Sequence, residues 1–63
     1  MTREEIIAEV EKIENYLQLS MDESRRKRPT LPNFIDRMAA MEMEWGLHIG
    51  IEKLRNLLTK ARG

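Results

Sequence analysis

Cysteine is absent from this 63-residue chain, so neither a disulfide nor a thiolate metal site can stiffen it. No apolar run approaches the ~20 residues that a membrane span needs, and no Gly-rich phosphate loop or Ser/His/Asp set stands in the sequence. The opening Met-Thr-Arg-Glu-Glu is charged and leads into no apolar segment, which argues against a secretory leader. Net charge is absent too: 11 basic residues face 11 acidic ones, so the chain has no general attraction for polyanions. These absences predict a small cytoplasmic protein, not an enzyme, with no cofactor, no metal and no membrane partner. At this length a single core is marginal, and with disulfides and metals excluded, association is the remaining remedy.

What is present is helical. Thr2 and Glu5 have the spacing of a capping box, and Glu4 and Glu5 suit the positive start of a helix. Ile6, Val10, Ile13, Leu17 and Met21 then recur at spacings of four and three, with Ile7 beside them, and make one apolar stripe. Ser20 and Glu23 repeat the capping pattern, but no Gly or Pro enforces a break there. The first helix is therefore predicted over about residues 3–27. Pro29 and Pro32 bracket a turn over 28–32, and Arg28, standing before Pro29, is disfavoured in helical geometry.

Asn33 is the predicted N-cap of a second helix over about 33–61, ending in Lys60 and Arg62 at the negative helix terminus. Its apolar pattern changes sides. At about 100° per residue, Phe34, Met38, Met41, Trp45 and Ile49 share one face, while Ala40, Met43, Leu47, Ile51, Leu54, Leu58 and Ala61 fall roughly opposite. A helix apolar on both sides must be covered on both sides. Either it breaks at 46–50, where Gly46 and Gly50 stand, or it lies between the first helix and a second subunit. The fold expected is an all-α, two-helix hairpin pairing as a homodimer into a four-helix bundle, with Ala40, Met43, Leu47, Ile51, Leu54 and Leu58 at the dimer interface.

The charges are unevenly placed. Residues 1–24 carry seven acids against two bases, and Arg25, Arg26, Lys27 and Arg28 follow as a basic run. Positive charge complements a helix end, which predicts an exposed cluster removable at little cost, and it is also the candidate contact for a polyanion or an acidic partner. Glu44, His48 and Glu52 are four apart and share a side. A lone His flanked by acids reads as a surface imidazole rather than a metal ligand. The Met-rich segment with Trp45 reads as core filler or as an adaptable binding surface. The function expected is that of a small non-enzymatic regulator or adaptor acting on an unidentified protein partner as a homodimer. The alternative is a nucleic-acid-binding regulator that places residues 25–28 on phosphates.

Overall fold

A computed structural model describes residues 1–63 as two antiparallel helices, α1 (Arg3–Lys27) and α2 (Phe34–Arg62), joined by a 3₁₀ turn at Arg28–Thr30. The chain is all-helical, as the periodicity predicts. Thr2 Oγ1 accepts from the Glu5 N–H at 3.1 Å and caps α1, while Asn33 Oδ1 accepts from the Ile35 N–H at 2.8 Å and caps α2.

The turn departs from one expectation. Arg28 is helical (φ −51°, ψ −47°) although Pro29 follows it. Its N–H continues the α1 ladder to the Ser24 carbonyl, and its guanidinium is held by Glu44 on α2, which together outweigh the steric bias of the following proline. The Arg37 guanidinium then donates to the Leu31 carbonyl at 2.6 Å and lies 6.0 Å from the Phe34 ring centroid. The turn is thus tied to the first turns of α2.

α2 is one helix, unbroken at Gly46 and Gly50. Its second apolar stripe faces α1: Ile51 and Leu58 are buried, and Ala40, Leu47, Leu54 and Ala61 are half-buried. The first stripe stays outside, with Phe34 and Trp45 each 65% exposed and Met38, Met41 and Ile49 also open. The α1 stripe is split as well. Met21 is buried and Val10 and Leu17 half-buried, but Ile6 and Ile13 remain 51% exposed. A stripe at three-four spacing is wider than the contact one neighbouring helix can make, so only one flank of it is covered.

Only three apolar side chains are buried: Met21, Ile51 and Leu58. The molecule is a rod of 47 × 14 × 14 Å with a radius of gyration of 14.6 Å, against about 10.6 Å for a compact domain of this length. Its accessible surface is 5035 Å², where a compact monomer of this mass exposes about 4,250 Å². No helix is long and apolar enough to cross a membrane.

Candidate interaction site

Polar chemistry concentrates where the turn end of α1 meets α2. Glu44, buried with 5% exposure, is the only charged residue inside. Its Oε1 accepts from Arg28 Nη1 at 3.0 Å and lies 3.7 Å from Arg25 Nε, and its Oε2 accepts from the Ser24 hydroxyl at 3.2 Å. No buried side-chain polar atom lacks a partner, which is the condition under which a buried carboxylate is tolerable.

The basic run is therefore largely consumed inside the chain. Arg25 and Arg28 hold Glu44, and Lys27 Nζ pairs with Glu23 Oε1 at 2.7 Å. That hydrogen bond and the charge of Lys27 hold the Glu23 carboxyl below its ordinary range. Arg26 is the one member of the run without an ion pair. The expected exposure holds for Arg25, Arg26 and Lys27, with Arg28 half-buried, but Arg25 and Arg28 balance a nearly buried carboxylate, so their removal is expected to cost more than that of free surface charges. The run at 25–28 was legible in the sequence, but its partner was not. Glu44 sits with Ala40, Leu47, Ile51 and Leu58 on the inward side of α2, and a Glu on that apolar stripe was the available signal.

Beside this cluster lies a 280 Å³ cavity lined by Arg25, Arg28, Met41, Glu44, Trp45 and His48. The Trp45 and His48 rings are 5.8 Å apart and tilted by 30°. His48 is half-buried, and Glu52, four residues on, is exposed. Glu44 points into the Arg25–Arg28 cluster, so the three residues spaced by four do not converge. Met41 and Trp45 continue outward into the open stripe of Phe34, Met38 and Ile49. The stripe therefore forms a flexible, polarizable apolar surface edged by guanidinium groups.

Farther from the turn, exposed ion pairs bind the same edge of the helices. Arg55 donates to Glu14 at 2.7 Å and to Gln18 at 3.2 Å, and Arg62 pairs with Glu11. Its hydrogen bond to the Glu14 carboxylate pushes the Arg55 guanidinium pKa above its ordinary value.

Of the residues expected at a dimer interface, Ile51 and Leu58 are already covered by α1, Ala40, Leu47 and Leu54 are half-covered, and Met43 is 54% exposed. The face centred on Ile51 is thus used within one chain, and the apolar surface left open lies on its two flanks. No family model, curated protein or solved structure matches this chain.

Proposed function

We propose that this chain is a non-enzymatic regulator or adaptor that acts by protein–protein contact as a helical homodimer. The observation that carries the reading is the ratio of covered to uncovered apolar side chains. Three are buried, while Ile6, Ile13, Met38, Met41, Met43, Trp45 and Leu57 are each about half exposed or more. Monomeric proteins seldom leave large apolar patches open, and such surface marks interaction sites. The open area is divided between two flanks, which suits one homotypic contact and one contact with another protein.

The stripe of Phe34, Met38, Met41, Trp45 and Ile49 is the surface assigned to the partner. Methionine adapts to irregular shapes, and an exposed Trp is a typical anchor of binding energy. The partner element it suits is an apolar helix face laid along the stripe.

Pairing of the basic run weakens the nucleic-acid reading. A surface that binds phosphates needs free cations, and three of the four here are engaged with Glu44 or Glu23. The test has two arms. Sedimentation equilibrium at low micromolar concentration should give twice the chain mass. Gel shifts with duplex DNA and structured RNA at two salt concentrations should give no sub-micromolar, salt-dependent binding. A folded monomer would overturn the dimer, and tight binding that vanishes in an Arg26→Gln variant would overturn the choice of partner class.

A further inference from the structure

Both helices carry a second regularity that the hairpin leaves half used. On α1, Ile6, Val10, Ile13, Leu17, Ser20 and Ser24 are separated by four, three, four, three and four residues. On α2, Met43, Leu47, Gly50, Leu54, Leu57 and Ala61 follow the same alternation. A repeat averaging 3.5 residues is the seam of a supercoiled bundle, and neither seam contains a charge. The two seams border the same side of the hairpin. Ser20 and Ser24 of one and Met43 of the other line a single 370 Å³ groove, and the Arg55–Glu14 and Arg62–Glu11 pairs lie on the opposite edge.

The occupant of this side is constrained by shape and area. Leu54 and Leu57 stand on the free-end side of Gly46 and Gly50, and Ile13 on the free-end side of Ser20, while Met43 and Ala61 close the two ends of the α2 seam as a large and a small residue. A Cβ added at Gly46 or Gly50 would meet nothing within 4 Å. The hairpin itself thus gives no reason for two glycines in a helix interior, each of which costs about 1 kcal/mol relative to Ala. The surface of 5035 Å² exceeds the compact expectation of about 4,250 Å² by roughly 800 Å², which is about what each partner buries in a stable interface.

We infer that this side binds a second copy of the chain, related by a two-fold axis that crosses the helices at the level of Leu17–Ser20 and Gly50–Leu54. The inference rests on the homodimer proposed above and assigns its surface and orientation. The axis sets α1 antiparallel to α1 of the partner and α2 antiparallel to α2. Leu54 then enters the notch at Gly50, Leu57 the one at Gly46, and Met43 meets Ala61, each contact made twice by symmetry. The same axis serves both helices, because the Glu14–Arg55 and Gln18–Arg55 contacts set residues 14–18 level with Arg55, which brings Leu17–Ser20 level with Gly50–Leu54. An axis parallel to the helices would set bulk on bulk and leave the glycine notches empty, against the close packing of protein interiors. Four helices then surround one core, and the Phe34–Ile49 stripe stays outside it.

The absence of cysteine makes the test direct. Leu57→Cys and Gly46→Cys chains, prepared separately, are unfolded together, refolded and oxidised. The inference predicts disulfide-linked dimers in the mixture and none from either variant alone. Leu57→Asp should raise the dimer dissociation constant about 100-fold or more, with helicity retained at high concentration, while Trp45→Asp should leave it within about threefold. A dimer that survives Leu57→Asp and breaks with Trp45→Asp would overturn the surface while leaving the homodimer standing. Linkage of Ile13→Cys with Leu57→Cys would overturn the orientation, and a wild-type monomer would overturn both proposals together.

Discussion

Near the turn the two helices meet around a charge, whereas beyond Ile51 they meet around aliphatic side chains. In the first region Glu44 is enclosed by Ser24, Arg25 and Arg28, and the small residues Ser20 and Ala40 line the groove beside Ser24 and Arg28. In the second, Ile51 and Leu58 are buried and the polar contacts are exposed pairs such as Arg55–Glu14. The difference lies in how specific each closure is. Aliphatic contacts tolerate slippage along the helices, but a buried carboxylate must meet its donors at one register. The charged end fixes the alignment that places the two seams level, and the apolar end supplies burial.

Breaking the charged end should have the largest effect. Replacing Arg25 and Arg28 together by Ala strands the buried carboxylate and should cost about 3–5 kcal/mol in thermal or urea unfolding. Adding Glu44→Leu to that variant should recover most of the loss, since an apolar group of similar size needs no donors. Failure of the rescue would assign the two arginines a packing role through their alkyl stems instead.

At the apolar end, Leu58→Ala should cost about 2–5 kcal/mol by lost burial and a residual cavity, read by the loss of helical circular dichroism on heating. Arg55→Ala should have only a small effect on the same melting curve, smaller still at high salt, because its pair with Glu14 is exposed on the Arg side. An Arg55 effect as large as that of Leu58 would erase the distinction between the two regions.

Much of the fold is legible in the residues. Thr2 and Asn33 announce both helix starts, Pro29 and Pro32 the reversal, and the 3.6-residue pattern the class. The pairing of faces is less legible, because α2 offers two apolar stripes of similar strength. The choice fell to the stripe that contains Glu44, a residue that a hydropathy pattern marks as polar and therefore outward. What draws it inward is the basic run at the end of α1, whose Arg28 stands 16 residues earlier, a relation between the two helices that no local window contains. The same relation makes a run that is largely exposed, as it reads in sequence, also the clamp on a buried carboxylate. Gly46 and Gly50, four apart on one face, are compatible in sequence with a kink or break and with close approach by another helix. The unbroken helix removes the break, and the open space around both glycines means that the hairpin itself makes no close contact there.

Gly50→Leu sharpens this last point with a smaller effect. On a free helix surface the change should stabilise by up to about 1 kcal/mol through helix propensity. In a notch filled by Leu54 of a second copy, the added side chain overpacks and should cost about 1–3 kcal/mol. Unfolding at two protein concentrations separates the cases, because only the second makes the loss concentration-dependent.

Closure of the hairpin's uncovered seam by a second copy of the chain is the proposal on which the rest depends. Sedimentation equilibrium of the wild type beside Leu57→Asp, at the same low micromolar concentration, tests it most directly. The account predicts twice the chain mass for the wild type and the single-chain mass for the variant. Equal masses for the two, whether both single or both doubled, would contradict it.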